Sequence, residues 1–506
     1  MVVIITLLCI GTLATLSIEN RLNIGEAYGL YTRRLRENVS YFWSNKILGN
    51  GWAQAVSYQG DTKSARSIPV LIYHGLPDEG GGENPFNSVN FSEHMRALSD
   101  AGWKTITLDE FEEFIRGKRQ LPERSFLLTF DDGRKDTFYP SDPVLKDLGM
   151  HAVMFAITKK STSPTSDQSS YYLSTYELGA MEKSEHWEVE SHGRDSHDWY
   201  YIDGNGSVGH FFSNRLWLSE ENRIETEKEF RDRIIYDLSN SKSDLERVFG
   251  KEVRALAYPF SDYGQDGTNY PQALNVVGEE VPKYYRLAFY QSWDGNGETF
   301  NYPSKEEVMM KRIEPLGGWD GKHLLNVLES GLSKDIPYNS LSFGDEWIGS
   351  WGEVSGGDEI SLNATALTTG ASAALNGSWW WRNYTFTTDV TWTAGSNVVL
   401  IGRRGDDDNY FGCNFGRNKV YIKTVVNGSS SNLEDADYQV PLSDKDINLG
   451  LSVRGSRIQC LVNHQVVLDL PNANRRIPNG GIGVEIWDAR NGVAQASFDN
   501  VEVLAN

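Results

Sequence analysis

Cysteine is scarce in this chain: three residues in 506, at positions 9, 413 and 460. A disulfide-dense scaffold is thereby excluded. Cys9 lies in an apolar run without a convincing context for lipid attachment. Cys413 and Cys460 fall in strand-like segments, where a disulfide and two buried free thiols fit equally well. Positive charge is also short, with 48 Lys and Arg against 69 Asp and Glu, a net charge of −21. That balance argues against nucleic acid or an anionic membrane surface as a partner and is compatible with a neutral or cationic polymer. Aromatic residues are not lacking: 15 Trp and 24 Tyr, with 23% charged residues, describe a folded chain rather than a disordered one. The length implies two or three domains.

The apolar run Val2–Ile18 carries no charge. It is short for a spanning helix and long for the apolar part of a signal peptide. No Lys or Arg precedes it and no clean small-x-small cleavage site follows, so residues 1–18 read as an uncleaved export anchor, the chain's single link to a membrane. Arg21, Arg33, Arg34 and Arg36 follow the run, which the positive-inside tendency would keep in the cytoplasm. Residues 19–66 read as a polar stem. Seven Asn-x-Ser/Thr sites, at Asn38, Asn90, Asn205, Asn363, Asn376, Asn383 and Asn427, add mild support for export.

From Ile68 the texture changes. IPVLIYH, WKTITL, SFLLTFD, HAVMFAI, WEVESH, RALAYPF, YYRLAFY and EEVMMKRIEP read as strands. Helical patterns intervene, including FSEHMRALSDAG and an apolar period through Phe230, Ile234, Leu238, Leu245 and Val248. Seven or eight βα units over residues 67–345 predict a distorted (β/α) barrel rather than an open sheet. Beyond a Gly- and Trp-rich linker at Gly344–Gly357, short alternating segments separated by turns such as Asn427-Gly428 predict an all-β sandwich of ten or more strands over residues 346–506. No short internal repeat is visible.

The stretch SFLLTFDDGRKD sets two aspartates, Asp131 and Asp132, at the C-terminal end of a buried strand, where parallel α/β folds place their active sites. Asp-Gly is also a common turn dipeptide, so this stretch alone decides nothing. About sixty residues on, EVESHGRDSHDW ends another strand with His192 and His197. One carboxylate with two imidazoles suits a metal-hydrolase site that keeps an open position for water. Asp132, His192 and His197 would supply the three ligands. The two histidines are five positions apart, too far for one helical face, so a loop must bring them together. Asp131 would then be free to take a proton from water, and Arg254, just before another strand, is the candidate to hold it ionised.

These motifs resemble the polysaccharide deacetylases, the NodB-homology group of carbohydrate esterase family 4. TFDDG is similar to that family's first motif, which implies a general-base role for Asp131 and metal binding for Asp132. SHGRDSH resembles the second, whose histidines bind the metal, with one residue more than the family's usual spacing; the longer spacing and the opening around VLIYHG look like the branch acting on poly-β-1,6-N-acetylglucosamine. RALAYPFSDYG resembles the third motif, which implies that Arg254 orients the base, that Tyr258, Pro259 and Phe260 line the groove, and that a backbone N–H there polarises the acetyl carbonyl. The late Leu-x-His-x motif that supplies a general acid has no clear match; His323 reads as a helix-surface residue, and His74, ending the first strand, either lines the pocket or packs. The resemblance implies a seven-stranded NodB-like barrel and a divalent metal, with zinc expected first and cobalt, nickel or iron compatible with the same ligands.

The C-terminal segments resemble concanavalin-like lectin and glucanase modules, a jelly-roll sandwich. Among Trp379, Trp380 and Trp381, Trp380 is the candidate for stacking on a sugar, and alternation requires at least one of the three to point inward. No pair of glutamates suited to glycoside hydrolysis is evident there. The leading expectation is metal-dependent N-deacetylation of an N-acetylglucosamine-containing polysaccharide at the cell surface or outside the cell; the alternative is a carbohydrate-binding surface protein with a weak or inactive barrel.

Overall fold

The structure, a computed structural model, describes residues 63–76, 87–265, 267–292, 298–305, 307–340, 343–344, 346–365, 367–441, 447–473, 477–488 and 492–506. The apolar run, Cys9, the four arginines after it and the stem up to residue 62 lie outside these. Among the described residues no helix is long and apolar enough to cross a membrane.

Two compact units divide the chain: residues up to 292 with 300–325, and residues 326–506 with the short segment before Phe300. The first is built on eight parallel strands, β1 (Val70–Tyr73), β2 (Lys104–Thr105), β3 (Ser125–Phe130), β4 (Ala152–Ala156), β5 (Trp187–Ser191), β6 (Ala255–Ala257), β7 (Leu287–Ser292) and β8 (Met310–Ile313). β1, β3, β4 and β6 are buried along their whole length, as strands covered on both faces must be. The order runs β1–β8–β7–β6–β5–β4–β3, and β1 then pairs with β3 from Val70↔Leu127 to Tyr73↔Phe130, closing a ring of seven. β2 joins only the start of β3, at Lys104↔Ser125 and Thr105↔Phe126.

Helices α1 (Ser88–Asp100), α2 (Leu108–Ile115), α3 (Lys135–Leu148), α4 (Thr158–Thr162), α5 (Thr175–Glu182), α6 (Glu227–Phe249) and α7 (Ala273–Tyr284) fill the crossovers. Three begin on capping boxes, Thr107 with Glu110, Ser174 with Glu177 and Thr226 with Glu229, each pair satisfying backbone N–H groups that the first turn leaves open. The ends of β3 and β5 therefore meet on one rim of the ring.

The second unit is a sandwich of two antiparallel sheets. One orders Trp347–Trp351, Gly370–Leu375, Gly481–Trp487, Asn397–Asp406, Asn409–Gly416, Lys419–Val426 and Ser429–Asp437; the other runs from Glu353–Ser355 through Ile360–Asn363, Gln495–Ala505, Tyr384–Ala394, Ile447–Arg454 and Arg457–Val462 to Gln465–Leu470. Tyr338–Ser340 pairs with Gln495–Ala505, so residues before 346 already belong to this sheet. The stretch expected as a linker, Gly344–Gly357, instead forms two strands, with Trp347 buried. Its glycines mark close approach: a Cβ on Gly352, at φ +76°, would meet the Gly370 carbonyl oxygen at 2.4 Å. Cys413 and Cys460 form a disulfide between the sheets. Trp381 lies in the core, and Trp380 packs against it with its indole N–H donated to the Lys334 carbonyl. The tryptophan expected to meet sugar is thus turned toward the core.

Candidate metal centre and active site

The six buried residues of β3 deliver Asp131 and Asp132 to the rim in different conformations. Asp131 stays in the barrel wall, its N–H donated to the Tyr73 carbonyl. Asp132 adopts φ +72°, a left-handed backbone that a non-glycine residue holds only when its surroundings impose it. The two carboxylates therefore face different partners.

Asp132 meets the two histidines. Its Oδ1 lies 3.2 Å from His197 Nε2 and 3.6 Å from His192 Nε2. One ligand atom from each of the three residues lies within 4.8 Å of the others. The His192 ring is fixed from behind, its Nδ1 2.9 Å from the Ala257 carbonyl. That contact keeps the proton on Nδ1 and turns the Nε2 lone pair toward Asp132. Burial lowers His192 to about 4, against a partial upward pull from Asp131 and Asp132, so its ring is neutral at physiological pH, as a ligand must be. Asp132 Oδ1 is buried and accepts no hydrogen bond. An orphaned carboxylate oxygen facing two imidazole nitrogens fits a divalent cation, and Asp-His-His is a donor set suited to zinc and its neighbours.

His197 reaches this point through the loop after β5. Asp237 of α6, itself buried, accepts from the Asp195 N–H at 2.6 Å, the Ser196 hydroxyl at 3.0 Å and the Arg194 N–H at 3.2 Å. Gly193, at φ +72°, is required there, since a Cβ would fall 2.0 Å from Ser196 Oγ. This turn solves the five-residue spacing that no helix could.

Asp131 is held by Arg312, not by Arg254. Arg312 Nη1 and Nη2 donate to Asp131 Oδ1 and Oδ2 at 2.6 and 2.7 Å, with the side chains 1% and 2% exposed. Burial would raise the Asp131 carboxyl, but Arg312 and His192 outweigh it and lower the group to about 2. Arg254 precedes β6 and so lies at the opposite, N-terminal end of the ring, paired with Asp109 and with Glu188 at 3.0 Å. Arg312 was legible in one respect: a lone arginine amid Met310 and Ile313 of a buried strand demands a counter-charge.

The remaining candidates divide. Phe260 is 39% exposed and stacks on the His197 ring at 4.4 Å between centroids, so it lines the groove beside the metal ligands. Its φ of +57° and that of Ser261, +55°, make a strained pair at the rim. Tyr258 and Pro259 are buried behind it. The Tyr258 hydroxyl donates to the Val308 carbonyl and its N–H to the Phe289 carbonyl, so that N–H is engaged in the barrel wall rather than free to polarise a carbonyl. His74, half-buried at the end of β1, places Nδ1 2.7 Å from Glu314 Oε1. Burial pulls its pKa down, but Glu314, Asp131 and Asp132 together raise it to about 9. His323 lies in the first turn of the helix Gly321–Ser330, its N–H capped by Asp320. Trp199 and His210, not singled out from the sequence, continue the aromatic wall: His210 stacks on Phe260 at 4.7 Å and Trp199, 59% exposed, lies 4.4 Å from His210.

The profile of the polysaccharide deacetylase family matches residues 118–277. The poly-β-1,6-N-acetyl-D-glucosamine N-deacetylase of Escherichia coli (strain K12) is 27% identical over 205 residues, 38% of this chain and 30% of that protein. The protein of the same name from Staphylococcus aureus (strain MRSA252) is 27% identical over 176 residues, 35% of this chain and 53% of that one. The chain thus spans less than two thirds of the length of these relatives. A solved de-N-acetylase from Aggregatibacter actinomycetemcomitans has 20% identity and a TM-score of 0.43, covering 51% of this chain and 99% of that one. The segment that bears Asp131, Asp132, His192, His197 and Arg254 is thus the part of the chain that matches the polysaccharide deacetylase family.

Proposed function

We infer that the barrel removes acetyl groups from N-acetylglucosamine units of a polysaccharide outside the cytoplasm, using a divalent metal held by Asp132, His192 and His197. The observation that carries this reading is the convergence of those three side chains beside a second, separately paired carboxylate. A metal bound there acidifies water and polarises the acetyl carbonyl. Asp131 lies next to the ligand set, 3.8 Å from His192 Nε2, and Arg312 keeps it ionised and oriented to accept the proton of the attacking water. As the carbonyl carbon gains the water oxygen, its bond to nitrogen breaks and the nitrogen takes up a proton. His74, protonated through Glu314, is the donor for that nitrogen, the role for which the sequence offered no motif. Phe260, Trp199 and His210 give pyranose rings an aromatic wall to lie against.

Location outside the cytoplasm rests on the apolar run at residues 1–18 and on the kind of polymer that the Escherichia coli and Staphylococcus aureus relatives are named for. The test is to incubate the purified protein with β-1,6- and β-1,4-linked N-acetylglucosamine oligomers, with and without chelator, and to measure acetate, free amine and reducing ends. Chelator-sensitive acetate in step with amine is expected. New reducing ends would mean glycoside cleavage, and no acetate would leave a binding protein.

A further inference from the structure

Between His197 and α6 the chain makes an excursion over residues 198–226. It forms two ribbons of two strands each, Tyr200–Tyr201 with Val208–Gly209 and Trp217–Leu218 with Arg223–Ile224. A two-stranded ribbon is marginal in water without support. Yet this excursion carries Trp199 and His210, which extend the aromatic wall begun by Phe260. Something must hold it against the turn that bears Phe260.

Asp262 does so. It lies two residues after Phe260, is 1% exposed, and has no part in the chemistry derived above. Its Oδ2 accepts from the Ser213 N–H at 3.0 Å. Its Oδ1 accepts from the Ser213 hydroxyl and, at 2.9 Å, from the Gly264 N–H. One buried carboxylate thereby joins positions 49 residues apart in the chain. Ser213 is three residues from His210, and the Asn214 N–H closes that turn on the His210 carbonyl at 3.2 Å. A second anchor is Arg233 of α6, which donates to the Phe211 carbonyl at 2.9 Å and to the Asn214 carbonyl at 2.8 Å.

The facing turn is fixed as well. Phe260 and Ser261 both hold left-handed backbones, which persist only where the surroundings impose them. Gln291 of β7 donates its N–H to Ser261 Oγ at 2.8 Å, and the Asp262 N–H donates to the Pro259 carbonyl at 3.0 Å. The outcome is a close stack: the His210 and Phe260 rings lie 4.7 Å apart and 3° from parallel.

We propose that Asp262 is a positioning residue for the polysaccharide: by bonding Ser213 it presents Phe260 and His210 as one preformed surface. The inference rests on the reading that this wall receives the sugar chain. Asp262 acts through the wall and touches neither the sugar nor the reacting atoms. Its effect falls on affinity, because a surface assembled in advance spares the ordering that binding would otherwise require. Its side chain bonds run to Ser213 and Gly264, so its removal leaves the metal ligands in place.

The test assays the full zinc-loaded chain for acetate release from whichever of the β-1,6- and β-1,4-linked N-acetylglucosamine hexamers it turns over faster. Asp262→Ala should raise KM about tenfold, about 1.4 kcal/mol, with kcat unchanged and with metal affinity, read by competition with a chromogenic chelator, also unchanged. Phe260→Ala should raise KM too, and adding Asp262→Ala to it should change KM little further, since a residue that acts through Phe260 then has nothing left to position. A cooperative barrel melting transition above the assay temperature establishes that each variant is folded. Should Asp262→Ala fail that check, Ser213→Ala, which removes the hydroxyl donor at the other end of the contact, decides by the same rise in KM. Native KM in folded Asp262→Ala beside a raised KM in Phe260→Ala, a loss carried by kcat or metal affinity instead, or additive effects in the double variant would each overturn the proposal alone. Native KM in Phe260→Ala would overturn the wall itself, and the proposal with it.

Discussion

Replacing Arg312 by methionine isolates the contact on which the proposed base depends. In the native barrel two short hydrogen bonds join Arg312 to Asp131, both side chains almost wholly buried. Lowering the carboxyl from 3.8 to about 2 means that folding favours the ionised form by about 2 kcal/mol. Because the folded value is the depressed one, that stability is present above pH 4 and is lost as pH falls toward 2. Methionine fills much of the arginine's volume but leaves a carboxylate uncompensated in an apolar ring, at a cost of about 3–5 kcal/mol. Asp131 escapes part of that cost by taking a proton, which abolishes it as a base near neutral pH. Scanning calorimetry should therefore show the barrel transition falling by roughly 10 °C while the sandwich transition stays in place. Acetate release should fall by about 10²–10⁴. Adding Asp131→Asn should recover much of the stability and none of the activity, since a neutral pair has no buried charge to strand. An Arg312→Met protein that melts and turns over like the native chain would refute the pairing.

Asp237→Ala removes the acceptor that fixes the Arg194–Ser196 turn, so metal affinity should drop by about 10–100-fold with the barrel still folded, read by competition with a chromogenic chelator. Glu314→Gln removes the carboxylate that holds His74 charged; the raised pKa of about 9 should move down, and with it the alkaline limb of the pH–rate profile, whereas an unmoved limb would exclude His74 as proton donor. His74 contributes stability below its unfolded value of 6.5, and that contribution is lost as pH rises through about 9. Reduction of Cys413–Cys460, which closes a span of 47 residues, should destabilise the sandwich by up to about 4 kcal/mol and lower its transition alone, checked by calorimetry with and without reductant.

Asp131, Asp132, His192 and His197 were legible because each motif follows an apolar strand of a βα series, and parallel strands all end on one rim. Their types, one free carboxylate beside a carboxylate and two imidazoles, are those that suit a metal-hydrolase site. Arg254 was misplaced because a residue at a strand's beginning and one at its end lie on opposite mouths of a barrel, however close they are in sequence. Trp380 was misplaced because three consecutive tryptophans do not show which face the core claims.

Alternation, strand-end aspartates and histidine spacing thus determined from sequence alone that a parallel barrel carries a carboxylate and two imidazoles and is followed by an antiparallel module. Local patterns report which way a side chain points relative to its neighbours in the chain. Only the tertiary structure decided that Arg312, 181 residues from Asp131, is its counter-ion and that Asp237 clamps the His197 turn. Ring closure and strand register bring these partners together, and no local pattern encodes them.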